Sequence, residues 1–170
     1  KKINPESRIF NKKLGGGVIL DIGSYPFCFL NLVFKNNENI KFKSVDGSFS
    51  FTDVIDAAEA NLIIENNIQA NIKVSFKENL DNKIIIRGET GNLILTNPWM
   101  PETKSFIEVN NNNSSYKKFI TSNKSIFANQ IENVSNNILQ NKKNDHFLVN
   151  IHDSLKIMNN LNIWSNLIKK

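Results

Sequence analysis

The chain has 170 residues, 40% of them hydrophobic, which suits a single domain with a real core and leaves no length for a second domain of ordinary size. Its formal charge of +5 comes from basic residues spread along the sequence and not interleaved with aromatics, so the excess reads as a solvated surface and no nucleic-acid partner is expected. The single cysteine, Cys28, excludes an internal disulfide and fits a reducing, cytoplasmic setting.

In chain order, Lys1 to Lys13 is a mixed polar lead-in with no signal-peptide pattern, and its start without methionine suggests a piece of a longer protein. The glycines Gly15, Gly16 and Gly17 then open an apolar stretch, Val18 to Phe34, dense enough for a buried helix, with Gly23 and Pro26 as the points where it breaks or kinks. Asp21, Ser24, Pro26 and Asn31 interrupt that stretch, so it falls short of a membrane span and no membrane partner is expected. Cys28, among Pro26, Phe27, Phe29 and Leu30, reads as a small buried thiol.

After a loop at Lys35 to Asn39 the periodicity changes to alternation. Lys41 to Phe51 alternates on both sides of Asp46-Gly47, which is either a turn or a bulge in one long strand. Ala57 to Ile64 and Ile68 to Phe76 flank Glu65-Asn66-Asn67 as a hairpin, because asparagine tolerates the backbone of a tight turn. Ile84 to Arg87 and Asn92 to Leu95 form another strand pair around Gly88-Glu89-Thr90-Gly91, and Ser105 to Val109 and Tyr116 to Ile120 form one around an Asn/Ser-rich loop tip.

The last third returns to helical spacing. Ile126, Phe127, Ile131, Val134, Ile138 and Leu139 mark one amphipathic face, Asn141 to Asp145 is a loop, and a final helix is predicted from about His152 to Leu167. Strands without intervening helices must pair antiparallel, so the fold class is α+β: an open, mostly antiparallel β-sheet with helices packed on one face.

Asp21 and Tyr25 stand four residues apart in the apolar run, on one face of a helix if the run is helical, where a carboxylate can orient a phenol. The bland alternative is that Asp21 caps nearby amides while Tyr25 is an amphipathic core residue. His146 and His152 are too isolated for a metal site, and none is expected. No Gly-x-Gly-x-x-Gly unit follows a strand, so a dinucleotide site is not read here.

The run from Gly15 to Pro26, with its Gly-Gly-Gly, Asp21, Gly23 and Tyr25, resembles the opening of the C-terminal domain of the Gfo/Idh/MocA oxidoreductases, in the branch of glucose-fructose oxidoreductase, dihydrodiol dehydrogenase and xylose dehydrogenase. The resemblance extends from about Arg8 to the end of the chain, through the Gly-x-x-Gly turn, Pro98-Trp99 and Asp153-Ser154-Leu155. It implies the glyceraldehyde-3-phosphate dehydrogenase-like C-terminal fold and a substrate-binding and oligomerisation domain, with the Rossmann domain absent from this chain. It further implies NAD- or NADP-dependent oxidation of a sugar, polyol or related alcohol, Tyr25 as acid/base and Asp21 as its support. A lysine of a Glu-Lys-Pro motif, not present here, would lower the phenol's pKa in such an enzyme, so the isolated domain is expected to be inactive.

Among further candidates, Arg8 and Asn11 are placed to reach substrate hydroxyls or to form a solvated arm. Trp99 walls a sugar pocket, anchors its loop or meets another subunit. The amides of Gly16 and Gly17 either approach a cofactor or serve close packing. Self-association to a homodimer or tetramer is expected through the open sheet face, with Ala60, Leu62, Ile64, Ile68, Ala70, Ile72 and Val74 as one apolar set. The alternative is a non-enzymatic module for oligomerisation or for binding a sugar derivative.

Overall fold

A computed structural model describes residues 4–34, 39–65, 68–140 and 149–169. The expected loops at Lys35 to Asn39 and Asn141 to Asp145, the turn at Asn66-Asn67 and the reading of His146 fall wholly or mostly outside the described residues. The elements are α1 (Val18–Asp21), α2 (Ser24–Val33), β1 (Lys41–Phe49), β2 (Ile55–Ile64), β3 (Ile68–Ser75), β4 (Lys83–Gly88), β5 (Gly91–Thr96), β6 (Lys104–Asn111), β7 (Ser115–Thr121), α3 (Ile126–Leu139) and α4 (Ile151–Leu167), preceded by two 3-10 turns, Arg8–Phe10 and Lys12–Leu14. The class is α+β with purely antiparallel pairing, as expected, and the strands form two sheets, in the orders β1-β2-β3 and β4-β5-β6-β7. The chain gathers into two compact units, one from Lys1–Leu80 with Val149–Lys170 and one from Asp81–Leu148.

In the first unit the alternation of β2 and β3 decides the packing. Ala58, Ala60, Leu62, Ile64, Ile72 and Val74 point to one face and are buried with Val18, Ile19, Phe27 and Leu30 from α1 and α2 and Ile157, Leu161 and Trp164 from α4. Each Val, Leu, Ile or Phe side chain among them contributes about 1.5–3 kcal/mol on burial. This corrects the expectation for self-association: that apolar set is the core, because these strands have one apolar face and the helices occupy it. The opposite face is polar, with the Asn61 amide donating to the Ser44 hydroxyl at 3.0 Å and the Asn71 amide donating to Glu59 at 2.8 Å and Asn61 at 2.9 Å.

Asp46-Gly47 lies inside β1 and makes no turn; the register shifts fall at Phe42/Ser44 and Ser48/Phe49. A Cβ on Gly47 would sit 2.8 Å from the Ile168 side chain just past the end of α4, so this position admits the closing helix against the strand. Helix α4 begins with a capping box, Asn150 and Asp153 satisfying each other's backbone amides.

In the second unit the hairpins meet the sequence pattern closely, with Gly88 opposite Gly91 and Asn110 opposite Ser115 at their tips. Phe106 and Phe119 lie 5.9 Å apart across the β6–β7 pair, and the Lys117 ammonium sits 4.1 Å from the Phe106 ring. Helix α3 is capped by Ser125, whose hydroxyl accepts from the Ala128 amide, but Phe127, Ile131, Val134 and Ile138 stay exposed.

Candidate active site

The glycine run is joined to the lead-in by backbone hydrogen bonds. The Gly15 amide donates to the Lys12 carbonyl at 3.2 Å, Gly16 to Asn11 at 2.9 Å and Gly17 to Ile9 at 2.8 Å. The amides of Gly16 and Gly17 are thus donated within the chain and do not cradle a phosphate here. A side chain on Gly16 would place its Cβ 2.7 Å from the Ile9 carbonyl oxygen and 2.8 Å from that of Arg8, so only glycine lets the lead-in lie against this turn.

The helix does break at Gly23. Val18–Asp21 ends at Ile22, and the axes of Lys12–Asp21 and Ser24–Val33 meet at 47°. Pro26 causes no kink, because it stands in the first turn of α2, where its missing amide costs nothing. Ile22 and Gly23 keep right-handed helical dihedrals, so Asp21 and Tyr25 remain about one turn apart on either side of the bend. No single helix among the described residues is long and apolar enough to cross a membrane.

At this bend the predicted residues separate into groups. Asp21, a quarter exposed, is ion-paired with the guanidinium of Arg8, which the preceding 3-10 turn carries to it. Tyr25 presents its side chain outward, 46% exposed. Asn11 is built into the lead-in: its side chain accepts from the Lys13 amide at 3.0 Å and its carbonyl from Leu14 and Gly16. Trp99, half-buried, belongs to the second unit, in the segment between β5 and β6.

Among the ion pairs that the sequence pattern does not mark are two that tie down segments of the first unit. Lys12 pairs with Asp53 at 3.6 Å, tying the second 3-10 turn to the β1–β2 loop. Asp56, 3% exposed, accepts from the Ser48 hydroxyl at 2.7 Å and lies 3.6 Å from the Lys77 ammonium, which also donates to Ser48 at 3.2 Å. The only available signal was a carboxylate at a strand's buried parity, and that reads equally as a strand entry. A depression between α2 and α4, lined by Phe27, Leu30, Asn31, Ile64, Lys156 and Asn160 among others, takes in neither Asp21 nor Tyr25. No group of three or more His, Cys, Asp or Glu able to hold a metal occurs among the described residues.

Residues 1–94 match the family model of the GFO/IDH/MocA C-terminal domain. No curated protein matches the sequence. Among solved structures, the chain is similar to KijD10, a 3-ketoreductase from Actinomadura kijaniata in complex with NADP and TDP-benzene, with a TM-score of 0.83, 18% identity and coverage of 98% of this chain and 50% of that one. It is also similar to an aldose-aldose oxidoreductase from Caulobacter crescentus complexed with glycerol, with a TM-score of 0.81, 18% identity and coverage of 98% and 50%. A putative oxidoreductase from Erwinia carotovora atroseptica matches with a TM-score of 0.70, 14% identity and coverage of 100% and 53%. The chain thus spans about half the length of the structures it resembles.

Proposed function

The chain belongs to the GFO/IDH/MocA C-terminal domain family, and from that membership we propose that it is the substrate-side domain of an NAD(P)-dependent oxidoreductase acting on a sugar, polyol or related alcohol. The observation that carries the reading is the bend after the glycine run, which lies inside the matched residues and sets the half-exposed Tyr25 one turn beyond the ion-paired Asp21. The NADP bound to the similar 3-ketoreductase supports the cofactor class, and the similar aldose-aldose oxidoreductase supports the substrate class.

A nicotinamide cofactor would supply the hydride chemistry; the Gly16 and Gly17 amides are already donated to Asn11 and Ile9 and do not fit its phosphates. Tyr25 handles the proton: its phenol gives a proton to a carbonyl oxygen being reduced, or takes one from a hydroxyl being oxidised. Such a proton transfer by a positioned side chain contributes about 10²–10⁴-fold. A phenol of ordinary pKa near 10 is a poor base at neutral pH, so a cation close to the reacting atoms must favour its ionised form. Asp21 orients the phenol from the preceding turn.

Self-association through a sheet would use the second unit, where Ile84, Leu95 and Ile107, and beside them Ile86, Leu93 and Val109, share one face by register. Light scattering at micromolar concentration tests it; a monomer contradicts it. The function itself is tested by nicotinamide-dependent turnover of the full-length protein across a panel of aldoses and polyols. Turnover on at least one class is expected, whereas sugar binding with no turnover on any would favour a non-enzymatic binding module.

A further inference from the structure

We infer that Arg8 is a positioning residue of the proton-transfer site, holding the Asp21 carboxylate and cancelling its charge beside Tyr25, and is not a contact for substrate. This rests on the reading of Tyr25 as the acid/base.

Three observations converge on it. The guanidinium of Arg8 and the carboxylate of Asp21, thirteen residues apart in sequence, are paired directly. The turn that carries Arg8 is fixed to the start of α1 by the Gly17-to-Ile9 and Gly16-to-Asn11 hydrogen bonds, and the absence of a side chain at Gly16 lets the carbonyls of Arg8 and Ile9 approach. The tight glycine turn therefore delivers a cation to a chosen carboxylate. Finally, the Asp21 side chain is only a quarter exposed, so its carboxylate is partly withdrawn from water and a directly paired cation compensates for the lost hydration.

The electrostatic consequence falls on Tyr25. A bare carboxylate one helical turn away opposes ionisation of a phenol, and a guanidinium bound to that carboxylate removes the opposition. Other charged groups lie on the elements packed against α1 and α2. Asp56 of β2 is held by Ser48 and Lys77, Lys12 pairs with Asp53, and α4 carries His152, Asp153 and Lys156, of which Asp153 acts on Cys28.

The test is the pH dependence of kcat and KM for alcohol oxidation by the full-length protein carrying Arg8→Gln, Arg8→Lys or Asp21→Asn. Arg8→Gln leaves Asp21 uncompensated, so the acidic limb of the kcat profile, which reports loss of the base's proton, moves to higher pH and turnover at neutral pH falls about tenfold, with KM little changed. Arg8→Lys keeps the charge and stays close to wild type. Asp21→Asn leaves the cation alone and moves the limb the other way, a result that stands even if Arg8→Gln folds poorly. A rise in KM for Arg8→Gln with kcat and its pH profile unchanged would assign Arg8 to the substrate and overturn the inference; so would a loss of thermal stability with no change in the profile. If Tyr25→Phe keeps its turnover, the reading of the site fails and this inference with it. If Tyr25→Phe is inactive while Arg8→Gln matches wild type, only the role of Arg8 fails.

Discussion

A single methyl group at position 16 separates the two jobs a glycine run can do. In Gly16→Ala the new Cβ would stand 2.7 Å from the Ile9 oxygen and 2.8 Å from both the Arg8 oxygen and the Asn11 nitrogen, more than half an ångström inside ordinary contact with rigid backbone. Overpacking of this kind costs about 1–3 kcal/mol. Loss of the Gly17-to-Ile9 hydrogen bond as the lead-in shifts adds about 1 kcal/mol. The expected total is about 2–4 kcal/mol, with Arg8 displaced from Asp21. Gly15→Ala is the control: its φ of +69° is strained for alanine, yet nothing lies within 4 Å of the added carbon, so about 1 kcal/mol is expected and no shift of Arg8. Urea unfolding followed by Trp164 fluorescence, in a Trp99→Phe background, reports the first unit alone. The reasoning fails if Gly16→Ala is no more destabilising than Gly15→Ala, or if it is destabilised with turnover intact in the full-length protein.

Trp164, fully buried 6.0 Å from the Phe27 ring, anchors α4 to the core, and Trp164→Ala should cost about 3–5 kcal/mol by denaturant titration; a cost below about 1 kcal/mol would place it outside the core. Lys77→Met leaves the buried Asp56 carboxylate with Ser48 as its remaining partner and should destabilise by about 1–3 kcal/mol, while Lys83→Met, which removes an exposed pair with Asp81, should change stability too little to measure. Equal effects would show that burial of Asp56 is not what gives its pair weight. Burial, and secondarily the Asp153 carboxylate, pushes the Cys28 thiol above its usual 9.0, so the folded chain favours the protonated form. That contribution is whole below about pH 9 and is lost as pH rises through the folded value, so Cys28→Ser should lose less stability than wild type on the alkaline side. Parallel alkaline curves for the two proteins would contradict it.

The strands were legible in the sequence because period-2 alternation survives wherever one face is buried, and β2, β3 and both hairpins of the second unit lie within one or two residues of their expected limits. The helix break at Gly23 was legible for a local reason too: a Cβ there would run into the Ile19 carbonyl. Which face the helices cover was not legible. Alternation marks Ala60, Leu62, Ile72 and Val74 as one apolar row but says nothing about what lies on it, and the polar Asn61, Asn71 and Glu59 row is what remains outside. At the site, Asp21 and Tyr25 stand out by spacing and by resemblance. The Arg8–Asp21 pair does not, because it closes across the fold of the lead-in onto the glycine turn, a long-range consequence of backbone hydrogen bonds that no local pattern encodes.

The central claim is that Tyr25 carries the proton. It is tested most directly by single-turnover hydride transfer in the full-length protein with Tyr25→Phe, alongside circular dichroism to verify the fold. With Tyr25 half-exposed, the fold should be unchanged and the rate should drop by about 10²–10⁴-fold with substrate affinity nearly intact. A rate within a few-fold of wild type would mean that another group moves the proton.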